Sequence, residues 1–564
     1  MTTPIESGFG IWDWAVVLGV FALTTWIGHR MAGKPATIRD FFLGGRRLPW
    51  YAVAGSIIAT EISAVTLISL PATVYKEGGN LEYLQLGIIG SFVARWLVAL
   101  FLVPAYYERE IYSPYDYMGA RLGEGVRRTT TVLFSVGGVL GQASRVYLTA
   151  VVLEVILHDE LESLASITGC SSIALAVLAI GVVAVLWTWM GGIATVIWTD
   201  VVLFGIFLAA IGIALSTLLF GIDGGAATVL EVARDAGKTR FFDFGARISD
   251  DYTFWAALIA QGLGGLGQYG TDQLMAQRIF CCANRREAQK AVVASYGAML
   301  VTVCVGAIGL GLYAYYREHP LTGADLALYQ EKNDRIFPIF ITTVIPSPLK
   351  GLIVAGAFAA AISSLDSILA ALSQTTLSAF WRPAAGLDPA AADRRAVYLS
   401  RVLVLAYGVL LCVIAVQCER LVSHYGSILN LALAMPGYTQ GAVLGAFVLA
   451  FLPLGVRGDG YPWAAGLSVL WIFCLAWRQE TAVLIQWSAA ALLFVLWCRH
   501  GLSRPGGFPY LASAIYGLAL AAAPGLCGTG TLGVVSWVWY VLLGALIAAG
   551  FGWLLDSRPQ SPTS

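Results

Sequence analysis

The chain has 564 residues, 58% of them hydrophobic and only 12% charged, with a mean hydropathy of +0.75 and no formal net charge. Soluble domains carry about 25% charged residues, so most of this chain must face lipid or other apolar segments. The composition reads as an all-α integral membrane protein, with no sign of a nucleic-acid partner and no obligatory protein partner evident.

A helix needs roughly 20 apolar residues to span a bilayer, and about fifteen segments meet that need. The first three lie near 11–29, 49–75 and 82–107. The middle group falls near 130–157, 171–190, 195–220, 253–280, 290–316 and 348–381. The last six lie near 399–418, 424–453, 461–476, 482–499, 508–524 and 533–555. The N-terminus lacks a basic region and a small-residue cleavage site, so the first run is expected to be retained as a helix. Arg30, Lys34, Arg39, Arg46 and Arg47 fall between the first two segments. Further basic clusters hold Arg109, Arg121, Arg127 and Arg128, then Arg285, Arg286 and Lys290, then Arg382, Arg394, Arg395 and Arg401. The intervening connections are acidic or mixed. By the positive-inside rule the basic set is cytoplasmic, with the N-terminus outside and the C-terminus inside a cell (plasma) membrane. The long connections near 221–251 and 317–347 then lie outside.

Charges inside these runs are functional-site candidates, because a charge in hydrocarbon is costly. The second segment reads Ala59-Thr60-Glu61-Ile62-Ser63-Ala64-Val65-Thr66-Leu67-Ile68-Ser69-Leu70-Pro71. Hydroxyls, an acid and a proline together predict a discontinuous helix that frees carbonyls for a cation. Small and hydroxyl residues can also serve helix packing, but packing does not call for a carboxylate. Asp200, after Trp198-Thr199, and Asp366, among Ser363, Ser364 and Ser367, each stand beside hydroxyls. The serines alone could back-bond to carbonyls and bend the helix, which leaves the carboxylate without a purpose. Carboxylate plus hydroxyl oxygens, with no Cys or His nearby, suit a hard cation, here sodium. Arg145 also lies within a span. It either neutralises Glu61 or Glu154, or grips an anionic substrate group through its bidentate fork.

Gly262-Leu263-Gly264-Gly265-Leu266-Gly267 has dinucleotide-fingerprint spacing but opens no βαβ unit, so close packing or a hinge is the better reading. No P-loop, H-E-x-x-H or G-x-S-x-G is present, which excludes a P-loop ATP-driven pump and leaves an ion gradient or a passive pore. No nucleophile–base pair or metal-ligand set argues for an enzyme. The nine cysteines include no C-x-x-C pair, and those in apolar segments read as small buried hydrophobes.

Asp40-Phe41-Phe42-Leu43-Gly44-Gly45-Arg46, Tyr115-Asp116-Tyr117 with Arg121-Leu122-Gly123, and Gly191-Gly192-Ile193-Ala194-Thr195-Val196-Ile197-Trp198-Thr199-Asp200 recur in one transporter family. Thr271-Asp272-Gln273 with Gln277-Arg278, and Ser536-Trp537-Val538-Trp539-Tyr540, do the same. Through these motifs the chain resembles the sodium:solute symporter family, which includes the sodium–glucose, proline, iodide and sialic-acid cotransporters.

The resemblance implies a five-plus-five inverted repeat with a substrate site at mid-membrane. It divides the chain into residues 1–48 (one helix and a basic loop), a ten-helix transport core at 49–453, and accessory helices at 454–564. The helices near 482–524 then look like an insertion. The main sodium site would use carbonyls of Ala59, Ile62 and Ala360 and hydroxyls of Ser363 and Ser364. A second would draw on Asp200, Ser363, Asp366 and Ser367, with Asp366 standing where relatives often have a hydroxyl. The sialic-acid carriers resemble this chain in Ser63-Ala64-Val65-Thr66, Gln85 and Arg145. That similarity favours a substrate with a carboxylate and hydroxyls, bound by Glu61, Ser63, Thr66, Gln85, Arg145 and Gln268. Glu61 opposes a bare anion unless it faces away or meets an amine. The expected activity is sodium-driven import of a small polar solute by alternating access. A sodium-coupled sugar carrier, and a channel or sensor on the same scaffold, are the alternatives.

Overall fold

A computed structural model describes residues 9–31, 38–62, 64–108, 111, 113–190, 193–381, 388–425, 428–502, 510–528 and 532–556. These residues form helices and connections, with no β-strand among them. In chain order the spanning elements begin with α1 (Ile11–Met31), α2 (Trp50–Glu61), α3 (Ala64–Tyr75) and α4 (Leu86–Tyr107). There follow α5 (Glu124–Ile156), α6 (Ser172–Met190), α7 (Ile193–Phe220), α8 (256–271) and α9 (Gln273–Phe280). Next are α10 (Arg285–Glu318), α11 (Leu349–Phe380), α12 (Pro389–Tyr425), α13 (Ile428–Ala434) and α14 (Gly437–Phe451). The C-terminal helices are α15 (Tyr461–Ala476), α16 (Glu480–Leu502), α17 (Tyr510–Gly528) and α18 (Tyr540–Leu554).

Twelve helices among the described residues are long and apolar enough to cross a membrane, and the bent α2–α3 pair makes a thirteenth. The other two expected segments are also helical. The one at 253–280 is interrupted at Asp272, and α15 has 16 residues.

The breaks fall where the sequence concentrates groups that compete with helical hydrogen bonding. Helix α2 ends at Glu61, Ile62 is extended at φ −82°, ψ 98°, and the helices on either side are inclined by 52°. Helix α8 ends in the same manner, with Asp272 extended at φ −73°, ψ 127° and capping the Leu274 amide. Wide π turns occupy 86–91 and 98–102 of α4 and 256–261 and 267–271 of α8, and the first of each pair lie against one another. Such turns collect at functional sites because they leave carbonyls and side chains out of register.

Helix α11 is the axis of the bundle: α1, α2, α5, α6, α7 and α12 all pack on it. Its N-terminus meets α1 so closely that a Cβ on Gly351 would sit 2.5 Å from the Asp13 backbone. Asp13, fully buried in the first helix, accepts from the Gly351 amide at 2.8 Å and from Gly10 at 2.9 Å. That intramembrane acid is thus a helix cap. The accessory helix α18 packs on α14 through a glycine contact, since a Cβ on Gly441 would meet the Val541 carbonyl at 2.6 Å.

The connection after α7 reaches back over α3. Lys238, only 3% exposed, donates to the carbonyls of Val74 (2.8 Å), Tyr75 (3.0 Å), Lys76 (2.8 Å) and Gly79 (3.3 Å). Its ammonium also lies 4.3 Å from the centre of the Tyr313 ring. A cation here satisfies the C-terminal carbonyls of the half-helix that follows the break.

Candidate functional site

Two oxygen-rich regions and one cavity meet around the α2–α3 break. The first region lies between that break and α11. Ala59, Ile62, Ala360 and Ser363 line one small cavity of about 10 Å³ with Ala359 and three apolar residues of α7, Leu203, Phe204 and Phe207. Room of that size suits one water-sized occupant. Ser364 stands beside it, its hydroxyl donating to the Ala360 carbonyl at 3.1 Å and the Thr60 carbonyl at 3.4 Å. The five residues expected around the main sodium ion are therefore neighbours in space.

The second region contains an arginine that had not been assigned to it. Asp200, fully buried, accepts from Ser56 and Ser363 hydroxyls at 2.5 Å each and pairs with Arg278 at 3.0 Å. Arg278 comes from α9 and also donates to Ser56 (2.8 Å), the Leu274 carbonyl (2.7 Å) and Ser367. The expected second set, Asp200, Ser363, Asp366 and Ser367, is thus not an open cage of oxygens. A guanidinium already bonds two of its members and neutralises the carboxylate. Asp366 accepts from its neighbour Ser367 at 3.3 Å and lines a different small cavity, with Thr24, Thr25, Thr195 and Thr199 of α1 and α7.

The central cavity has two halves. One, about 140 Å³, faces the 221–255 connection and is lined by Thr66, Tyr83, Gln261, Tyr269 and Trp537 among others. The other, about 110 Å³, faces the basic connections and is lined by Gln142, Thr271, Asp272 and Thr439 among others. Glu61, Arg145, Gln268 and Gln440 border both. Among the described residues the Arg145 side chain makes no hydrogen bond or ion pair, so its guanidinium is available to the cavity.

Glu61 is in the opposite condition. One of its oxygens is held by Arg95 of α4, and the other accepts from the Tyr269 hydroxyl at 2.7 Å. Arg95, 1% exposed, also donates to Ser295 at 3.0 Å and lies 4.1 Å from the Tyr269 ring centre. Arg145 neutralises neither acid considered for it, because Glu154 is paired with Arg335 at 3.3 Å.

Of the expected substrate residues, Glu61, Thr66, Arg145 and Gln268 line the cavity, and Ser63 lies outside the described residues. Gln85 does not line it. Its amide donates to the Glu82 (3.2 Å) and Tyr252 (3.3 Å) carbonyls and accepts from the Asp243 amide at 3.3 Å, so it ties α4 to the overlying connection. Arg95 and Arg278 are the residues sequence reading missed. The signal was present, since both are arginines in predicted spans.

Residues 41–453, well over half of the chain, match the sodium:solute symporter family. The chain is 29% identical over 460 residues to the human sodium-coupled monocarboxylate transporter 1, covering 80% of this chain and 71% of that protein. It is 26% identical over 524 residues to the human sodium/iodide cotransporter, covering 90% and 77% respectively. The solved structure of a sodium-coupled sialic acid symporter, substrate-bound and outward-open, has the same fold. It superposes with a TM-score of 0.69 at 23% identity, over 93% of this chain and 97% of that one. This chain is a multi-pass, sodium-coupled transporter and not an enzyme, and it belongs to the sodium:solute symporter family.

Proposed function

We propose that the protein imports a small organic monocarboxylate together with sodium. The observation that carries this reading is charge balance: in the half facing the 221–255 connection, Arg145 is an unpaired cation while the acid beside it is neutralised. Glu61 neither faces away nor meets an amine, but the Arg95 guanidinium supplies a counter-charge that removes its opposition to an anion. A guanidinium fork suits the two oxygens of a carboxylate. The amides of Gln142, Gln268 and Gln440 and the hydroxyls of Thr66 and Thr439 are placed for further polar groups on an organic solute. A monatomic anion would leave those groups unmatched. The names of several relatives, sodium-coupled monocarboxylate transporters, support the same class.

Sodium would be held by the carbonyls of Ala59, Ile62 and Ala360 and the hydroxyls of Ser363 and Ser364, bridging the α2–α3 break to α11. Binding there favours the outward-open, substrate-ready arrangement, and the shift equals the ion's differential affinity for the two states. Release on the sodium-poor side loosens the bridge and opens the other path. The basic connections face the cytoplasm in a plasma membrane, with the N-terminus outside and residues 49–453 as the transport unit.

The test is uptake of labelled lactate into proteoliposomes under an imposed sodium gradient. Uphill, sodium-dependent accumulation is expected, with near-complete loss in Arg145→Ala while sodium still raises thermal stability. Sodium flux without solute would indicate a channel. Normal lactate uptake by Arg145→Ala would make that residue structural and remove the reading.

A further inference from the structure

We infer that Arg95 sets the charge preference of the central cavity without lining it. Glu61 borders both halves of the cavity, and left alone it would place a carboxylate beside the guanidinium of Arg145. The two would then compensate one another and present a site carrying both signs. Arg95 removes that possibility by taking one oxygen of Glu61 while Tyr269 occupies the other.

The arrangement is fixed from three directions. The Ser295 hydroxyl accepts from Nε at 3.0 Å, the Tyr269 ring lies 4.1 Å away, and Glu61 receives Nη2. An arginine is always charged and holds its planar fork in place better than lysine would. The half facing the 221–255 connection consequently presents the Arg145 charge without a lining acid paired to it, since Arg145 and Glu61 are its only Asp, Glu, Lys or Arg lining residues among those described, and Asp272, the other acid near Arg145, lines the opposite half. Such a half attracts a monoanion. With Glu61 released it would suit a zwitterion, whose ammonium meets the acid and whose carboxylate meets Arg145. Arg95 is thus a positioning residue: it decides what Glu61 shows to the substrate.

The inference rests on the carboxylate reading of Arg145 and is tested so that the two can fail separately. Lactate and alanine share a carbon skeleton and a carboxylate, and they differ in having a hydroxyl or an ammonium group. Their relative kcat/KM is measured in proteoliposomes for the wild type, Arg95→Gln, and the double variant Glu61→Gln/Arg95→Gln. The lactate-to-alanine ratio is expected to fall about tenfold or more in Arg95→Gln, as an unpaired charge enters the site. The ratio should return toward the wild-type value in the double variant, which has no unpaired acid. Where Arg95→Gln does not fold, Glu61→Gln takes its place: it leaves the Arg95 charge uncompensated beside that of Arg145 and should raise the lactate-to-alanine ratio, and an unchanged ratio there overturns the inference as well. An unchanged ratio in Arg95→Gln, or a double variant as altered as the single one, overturns the inference. A wild type that prefers alanine to lactate overturns the carboxylate reading instead.

Discussion

Asp200 and Glu61 are both acids inside the membrane region, and each is matched with an arginine from another helix, yet they are built for different ends. Asp200 and Arg278 are both fully buried, with the serine hydroxyls of α2 and α11 completing the shell. The side chain of Glu61 retains 11% exposure, and it borders the cavity through which solute would pass. The first pair joins α2, α7, α9 and α11 into one unit. The second conceals a charge at a surface the substrate can reach. The same pairing chemistry therefore secures architecture where no solvent enters and tunes recognition where some does.

The comparison is best broken at Arg278. Removing one partner of a fully buried pair leaves an uncompensated charge and costs about 3–5 kcal/mol. Arg278→Met should therefore lower the thermal midpoint in detergent far more than Arg95→Gln does, and Asp200→Asn/Arg278→Met should recover much of the loss. Equal destabilisation by the two arginine variants would erase the distinction between the two pairs.

A smaller effect is expected beside the Asp200 centre, at Ser364. This residue contacts the carbonyls of Thr60 and Ala360 rather than an acid. Ser364→Ala should raise the sodium concentration for half-maximal uptake about tenfold, the scale of one lost buried polar interaction. Sodium titration of uptake measures this, and an unchanged midpoint would move the ion elsewhere.

The smallest effect concerns a charge outside the spans. Burial pushes Lys238 down to about 8 from an ordinary 10.5, so it is mostly charged at pH 7 and mostly neutral at pH 9. Its hold on the four carbonyls at and just past the end of α3 therefore weakens as pH rises through that value. Uptake should fall about two- to fivefold across the interval, the range for a cation at a helix C-terminus. Lys238→Met should be slow at both pH values and show no such step.

Much of this was legible in the sequence. The break after Glu61 follows from hydroxyls, an acid and a proline crowded into Thr60–Pro71, whereas the residues proposed to hold sodium came from the family resemblance and not from spacing. The chain resembled its family through motifs that structure and comparison place in the same fold. What a single sequence could not give is which helix supplies each counter-charge. Arg95 is 34 positions from Glu61, and Arg278 is 78 from Asp200; those pairings exist only once the helices are packed. Arg145 drew attention as an arginine within a span, and among the described residues its side chain forms no ion pair because Glu61 and Glu154 are each taken by another arginine. Gln85 was named from the resemblance to the sialic-acid carriers, and no sequence pattern shows that its amide turns to the Glu82 and Tyr252 carbonyls.

The narrow space between the α2–α3 break and α11 has an energetic corollary. Were a single univalent metal ion to travel with each univalent organic ion, the loaded carrier would move no net charge. Voltage does work of about 2.3 kcal/mol per elementary charge per 100 mV, and such a cycle would forgo it. The steepest solute gradient it could sustain would equal the sodium ratio itself, whatever the membrane potential.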